Sequence, residues 1–337
     1  MPKHSFRRLN GAKPRPGRTG LPPVTYSRME FPILFPTFGR NSERKTNMKT
    51  TKQTIGLLCS LLVGVCALSA CGSTTADSAQ VRVMTFNIRY ANPDDGPDYW
   101  DNRREAVVRM VREVRPDVMG IQEGLAPQVA FLDSALTGYR YVGVGRDDGH
   151  EAGEYAAVFY NDSLYVPVES GHFWLSETPD TAALGWDAVC IRIATWVKLR
   201  ERASSREFLV FNTHFDHVGV VARRESAKLL LDRVHAFGDS IPTVIMGDFN
   251  FPVTDPSLAP LVQAPTFCEA RAAAKHKPQG DSLPAVTYRG FGHGESGELI
   301  DHIFIQGFTP EVYEVISSGY GVRYLSDHLP VLVTLKY

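Results

Sequence analysis

The chain is poor in cysteine, has no apolar run of membrane-spanning length and carries almost no net charge, with five cysteines in 337 residues and 36 Lys+Arg against 37 Asp+Glu. Three of the cysteines, Cys59, Cys66 and Cys71, lie near the N-terminus, so only Cys190 and Cys268 serve the rest of the chain. Two distant thiols make neither a disulfide framework nor a thiolate metal site, and the default for each is a buried free cysteine. The longest apolar stretch, residues 55–70, is shorter than the ~20 residues that span a bilayer, which disfavours a transmembrane anchor. There is no internal repeat, and no linker-like composition interrupts residues 81–337.

What is present begins with two unlike segments. Residues 1–47 are rich in Pro, Gly, Arg and Lys without periodicity, the composition of a disordered segment. Met48-Lys49-Thr50-Thr51-Lys52 then leads into the apolar run, which closes in Leu68-Ser69-Ala70-Cys71. A positive head, a short apolar centre and small residues in that order read as a secretory signal. The ending resembles the lipobox of bacterial lipoproteins, which implies cleavage before Cys71, its lipid modification, and a protein exported and held on a bacterial membrane. The expected division is residues 1–47 as a disordered or untranslated segment before a start at Met48, 48–70 as signal peptide, 71–80 as tether and 81–337 as one domain.

Removing the leader changes the charge. Residues 1–70 take 12 of the basic residues and two of the acidic ones, so the remainder holds 24 Lys+Arg against 35 Asp+Glu, a formal charge of −11. An acidic surface disfavours non-specific attraction to nucleic acid or anionic lipid, which rests on Lys and Arg neutralising phosphates.

Within the domain the spacing predicts strands that end in polar residues. Val81-Arg82-Val83-Met84-Thr85-Phe86-Asn87-Ile88 alternates with period two, and Val118-Met119-Gly120-Ile121-Gln122-Glu123 is an apolar run closed by a carboxylate. Thr243-Val244-Ile245-Met246-Gly247-Asp248-Phe249-Asn250 does the same, and residues 154–160 read as a strand headed by Glu154. Residues 189–199 and 207–213 read as a hairpin leading to His214-Phe215-Asp216-His217, and residues 299–306 and 330–335 as later strands beside Asp301 and Asp327-His328. Between them, apolar residues at helical spacing predict helices up to Pro116, with Asn102 as the cap, and over 128–136 and 223–237. Strands interleaved with fewer helices suggest two packed sheets with helices outside. Acids at the mouths of apolar strands are costly to desolvate unless a cation offsets them, and oxygen donors favour Mg²⁺, Mn²⁺ or Ca²⁺.

Six motifs in order, Thr85-Phe86-Asn87-Ile88, Gln122-Glu123, Asn212-Thr213-His214, Gly247-Asp248-Phe249-Asn250, Ile300-Asp301-His302-Ile303 and Ser326-Asp327-His328-Leu329, resemble those of the endonuclease/exonuclease/phosphatase superfamily. The resemblance implies an α/β four-layer sandwich of the deoxyribonuclease I type, two mixed β-sheets flanked by helices, and hydrolysis of a phosphoester with Mg²⁺ or Mn²⁺ as cofactor. It implies Glu123 as a metal ligand with Asn87 and Asp327 completing or supporting the site. It gives Asp248 the attacking water, Asn250 a phosphate oxygen, and His214 and His328 the phosphoryl group. Asp301 is expected to hold His328 protonated and Glu154 to orient His214, while Arg146 is a candidate phosphate contact.

Departures narrow the branch. The Trp-Arg context of inositol polyphosphate 5-phosphatases is missing around Gly247-Asp248-Phe249-Asn250 and Leu299-Ile300-Asp301-His302, and abasic-site endonucleases match poorly around Asp301. Thr287-Tyr288-Arg289-Gly290-Phe291 is similar to the deadenylase and nocturnin-like branch. The expected protein is a monomeric phosphodiesterase or phosphatase acting on nucleotides, nucleic-acid fragments or phosphorylated small molecules. A sphingomyelinase-like phospholipid hydrolase is the alternative enzyme, for which residues 215–221 or the 174–186 excursion would supply apolar membrane contacts. A lipid-anchored binding module that has lost catalysis is the alternative of another class.

Overall fold

The computed structural model describes residues 80–278, 286–293 and 297–337. The leader, the lipobox-like run and the tether lie outside the described residues. The strands are β1 (Gln80–Asn87), β2 (Val118–Gln122), β3 (Tyr139–Val142), β4 (Val158–Asn161), β5 (Tyr165–Trp174), β6 (Ile193–Glu201), β7 (Glu207–His214), β8 (Thr243–Asp248), β9 (Cys268–Glu269), β10 (Asp301–Gln306), β11 (Thr309–Val315) and β12 (Val331–Lys336). They form two six-stranded sheets, ordered β11-β12-β1-β2-β4-β3 and β5-β6-β7-β8-β10-β9. Both are mixed: β1 runs parallel to β2 and β7 parallel to β8, while the other ladders are antiparallel.

Each parallel pair needs a crossover, and a helix supplies it: α1 (Trp100–Val114) between β1 and β2, and α3 (Val220–His235) between β7 and β8, with α2 (Ala126–Ala135) following β2. α1 starts two residues before the expected cap. Tyr99 occupies the N-cap and Asn102 lies in the first turn, its amide donating to Pro97 O at 3.1 Å. The helix ends on Arg115 at φ +50°, ahead of Pro116.

Period-two alternation sets the layers. From β1, Met84 and Phe86 face outward onto Val107, Met110 and Val111 of α1, whereas Val81 and Val83 face inward onto Val210, Val244 and Ile303 of the other sheet. On the far side Leu209, Phe211 and Ile245 meet Ala227, Leu230 and Val234 of α3. The result is helix, sheet, sheet, helix, as the sequence motifs implied. Each fully buried aliphatic or aromatic side chain contributes about 1.5–3 kcal/mol to holding these layers.

One predicted strand differs, and two observed strands were not predicted. The strand over 154–160 begins only at Val158, leaving Glu154 in irregular chain next to an isolated bridge at Tyr155. β5 and β11 were not marked by the spacing, because Pro167 and Gly171 interrupt one and Pro310 the other, and both carry register shifts. Cys190 and Cys268 are free thiols, but neither is buried as expected: Cys190 is half-buried and Cys268, on the short edge strand β9, is exposed. Among the described residues no helix is long and apolar enough to cross a membrane.

Candidate active site

The inward-facing rows of β1, β2, β7, β8 and β10 change from apolar to polar towards one end of the sandwich. Val83 is followed by Thr85 and Asn87, Val210 by Asn212 and His214, Met246 by Asp248, and Ile303 is preceded by Asp301. Register places the ends together: Asn87 opposite Gln122, His214 opposite Asp248, and Asp248 opposite Asp301.

A polar layer underlies the site, complete except for the buried Gln122 Oε1, which has no hydrogen-bond partner. Gln122 Nε2 donates to Thr85 Oγ1 at 3.0 Å and to Asn212 Oδ1 at 2.6 Å, and Asn212 Nδ2 donates to the carbonyls of Ile121 and Ala157, each at 2.8 Å. These bonds tie one sheet to the other beneath the catalytic candidates, where both partners are buried and the network is worth most.

Above this layer Asp248 is the hub. Its Oδ1 accepts the Asn250 amide at 2.8 Å and its Oδ2 accepts Asn87 Nδ2 at 2.9 Å. The Nε2 atoms of His214 and His328 stand 3.5 and 3.6 Å from that same Oδ2. Burial pushes the Asp248 carboxyl up to about 7, with Asp301 adding to the rise and His328 and the two amides opposing it. His328 Nδ1 lies 2.8 Å from Asp301 Oδ2. Burial alone would lower this imidazole, but Asp301 and Asp248 push it up to about 10, so it is cationic at neutral pH. His214 goes the other way, well below the ordinary imidazole range, through burial and the neighbouring Arg192, Arg146 and His328.

The acids proposed for metal lie to one side. Glu123 leaves β2 at φ +63°, which turns its carboxylate into the cleft. Its Oε1 accepts Asn87 Nδ2 at 2.9 Å and its Oε2 the Tyr90 amide at 3.1 Å. Asn87 Oδ1 accepts the Arg89 amide at 3.0 Å, so its NH₂ group holds Glu123 and Asp248 apart in a supporting position. Asp327, its carboxyl raised by burial and by Glu123, shares the guanidinium of Arg89 with Glu123, each at 3.9 Å. Only oxygen donors meet there, and the acids outnumber the one arginine between them. That donor set fits a hard divalent cation. Glu123, His214 and Asp248 also bring ligand atoms within 4.8 Å of one another, as do Asp248, Asp301 and His328.

The opposite wall is basic. Arg146 Nη1 binds Glu154 Oε2 at 2.5 Å, and Arg192 Nη1 approaches the same oxygen at 4.0 Å. Glu154 is therefore bonded to arginine, while its distance to His214 Nδ1 is 3.8 Å and no direct hydrogen bond joins them. Asn250, at φ +62°, donates its amide nitrogen to Phe215 O at 2.8 Å. The cleft measures about 510 Å³ and takes in Glu123, Glu154, His214, Asp248, Asn250, Asp327 and His328, with Asn87 and Asp301 bonded to its floor.

Sequence reasoning missed Arg89, in a loop, and Arg192, which fell within the strand read over 189–199 but lies in loop because β6 begins only at Ile193. Tyr288 carries no signal in the sequence beyond its place in the 287–291 motif. That ring lies 4.9 Å from His328, and its backbone bridges to both Glu298 and His328.

Residues 84–328 match the model of the Endonuclease/Exonuclease/phosphatase family. The chain is similar to an endonuclease/exonuclease/phosphatase from Bacteroides vulgatus, 37% identical, with 77% of this chain and 99% of that one covered and a TM-score of 0.72. It is similar to a Bacteroides thetaiotaomicron mannosyl-6-phosphatase, 35% identical, covering 76% and 100%, also at 0.72. It is 25% identical over 249 residues to Nocturnin of Drosophila melanogaster, matching 63% of this chain but only 36% of that protein. The likeness to a nocturnin-like branch read from residues 287–291 thus has a counterpart among the relatives.

Proposed function

The chain belongs to the endonuclease/exonuclease/phosphatase family, and from that premise we propose that it is a divalent-metal-dependent phosphoester hydrolase using an activated water in line with the leaving oxygen. The observation that carries the proposal is the hub at Asp248, where one buried carboxylate oxygen meets Asn87 and the Nε2 atoms of two histidines of opposite charge preference. A carboxyl held near 7 takes a proton from water at neutral pH, the pKa best suited to that task. The imidazolium of His328, fixed by Asp301, donates to a phosphoryl oxygen, and His214 and the basic wall of Arg146 and Arg192 face the same group. Glu123 and Asp327 would hold Mg²⁺ or Mn²⁺, with Asn87 supporting them, and such an ion when bound supplies charge neutralisation at the phosphoryl or leaving oxygen.

We favour a phosphomonoester of a small hydroxylated molecule or nucleotide. A relative 35% identical is a mannosyl-6-phosphatase, a dianion suits a wall with Arg146 and Arg192, and the acidic balance of residues 71–337 disfavours long duplex DNA. The lipobox-like Leu68-Ser69-Ala70-Cys71 supports action outside the cytoplasm from a lipid anchor. A second reading, a phospholipid hydrolase, draws support from exposed Leu184, Val189 and Val218 on loops and exposed Val220 and Val221 in the first turn of α3, with Val189 and Val218 adjoining the cleft residues Cys190 and His217 in sequence.

The test is a panel of p-nitrophenyl phosphate, bis(p-nitrophenyl) phosphate, mannose 6-phosphate, RNA and sphingomyelin vesicles, each with Mg²⁺ or Mn²⁺. Monoesters are expected to turn over fastest, and Asp248→Ala and His328→Ala to lose roughly 10²–10⁴-fold. Turnover of none of them would replace the hydrolase with the binding module.

A further inference from the structure

Beside His214 the basic wall lines a small, partly open pocket of about 10 Å³, close to the least volume that admits a water molecule. Its polar lining is Arg146, Glu154, Arg192 and His214. Three buried nitrogens of these residues, Arg146 Nε, Arg192 Nε and His214 Nδ1, have no hydrogen-bond partner in the protein. Buried polar groups are normally paired, and a polar space of this size with four polar residues around it is suited to an ordered water.

We propose that one water occupies this pocket, bonded to all four residues, and that its valence fixes His214 as the neutral tautomer with the proton on Nε2. Guanidinium nitrogens only donate, so Arg146 Nε–H and Arg192 Nε–H fill both lone pairs of the water. The water then has two hydrogens to give. One goes to the Glu154 carboxylate, which can only accept while ionised, and the other goes to His214 Nδ1. An imidazole that accepts at Nδ1 and is uncharged carries its proton on Nε2, the atom 3.5 Å from Asp248 Oδ2.

This outcome is the reverse of a direct carboxylate–histidine pair, in which Nδ1–H would donate to the acid. Here Glu154 Oε2 is already bound by Arg146, and 3.8 Å separates it from His214 Nδ1. Glu154 is then a positioning residue that acts on His214 through the water. His214 presents an uncharged N–H to the cleft while His328 presents a charged one. The two guanidinium groups and burial disfavour the imidazolium at His214, in keeping with that division.

Long-range ¹H–¹⁵N correlation on uniformly labelled, metal-free protein, with His214 identified by its loss in His214→Gln, reads the tautomer directly. The expected pattern is a protonated Nε2 and an unprotonated Nδ1. A high-resolution crystal structure is expected to hold a water within hydrogen-bonding distance of the four residues. Arg192→Met removes one donor and frees a lone pair, so Nδ1–H should become populated, while Glu154→Gln keeps an acceptor and should preserve Nε2–H. An Nδ1–H tautomer in the unaltered protein, a dry pocket, or an Arg192→Met protein with an unchanged tautomer would overturn the proposal. None of these readouts depends on turnover, so they stand or fall apart from the hydrolase reading.

Discussion

Replacing Gly120 by alanine tests whether the two sheets are as tightly joined beneath the site as the hydrogen bonds imply. A Cβ at this position would lie 2.6 Å from Asn212 Oδ1, 2.7 Å from its Cγ and 2.9 Å from Met246 Cε. Real contacts essentially never come so close, so Asn212 must move. That movement breaks the 2.6 Å bond from Gln122 and disturbs the two 2.8 Å bonds to the carbonyls of Ile121 and Ala157. Overpacking costs about 1–3 kcal/mol, and stranding a buried amide costs about 1–3 kcal/mol more. With roughly 2–4 °C lost per kcal/mol in a domain of this size, the melting temperature should fall on the order of 10 °C. Urea unfolding gives the free energy, and a double-mutant cycle with Asn212→Ala gives its origin. The methyl group added by Gly120→Ala should fit the space that Asn212→Ala vacates, so the double variant should be more stable than the sum of the single losses by at least ~1 kcal/mol. A Gly120→Ala protein within ~0.5 kcal/mol of the parent, or strictly additive variants, would refute the argument.

Two further outcomes follow from the charges of the site. Because the folded pKa of His328 is raised from 6.5 to about 10, its stabilising contribution is fully present below pH 6.5 and is lost as pH rises through about 10. Asp301→Asn removes the main source of that rise, so the stability gap between parent and variant, on the order of a few kcal/mol in acid, should close between these pH values, and a gap independent of pH in chemical unfolding would contradict it. Mn²⁺ or Mg²⁺ at about 100 times its dissociation constant should stabilise the protein by ~2.7 kcal/mol in a thermal-shift assay, an effect that Glu123→Gln should remove; an equal shift in that variant would move the metal elsewhere.

Much of the site is written in the strands themselves. Alternation in β1 and β8 carries Asn87 and Asp248 to the same inner face as Val83 and Met246, and period-two reading is enough to see it. Glu123 is different, since the left-handed turn that aims its carboxylate leaves no mark in Ile121-Gln122-Glu123. Glu154 looked like the head of a strand because Tyr155, Ala156, Ala157 and Val158 are all apolar, yet only Val158 joins the ladder, and the two arginines that bind the acid come from loops. Arg89 and Arg192 resemble solvated surface charges in sequence. Only the three-dimensional packing shows Arg192 4% exposed and Arg89 set between Glu123 and Asp327.

β1 runs towards the cleft and β12 runs away from it, with Gln80 paired to Lys336 at the remote end of the sheet. At roughly 3.3 Å per residue, the eight residues of β1 put about 25 Å between the point of chain entry and the reacting groups. A lipid attached upstream of Gln80 would therefore tug on the base of the sandwich and leave its mouth turned to the surrounding medium. Such an orientation would suit soluble phosphoesters arriving by diffusion better than headgroups of an anchoring bilayer, and the pairing of Gln80 with Lys336 sets both strand ends away from the cleft.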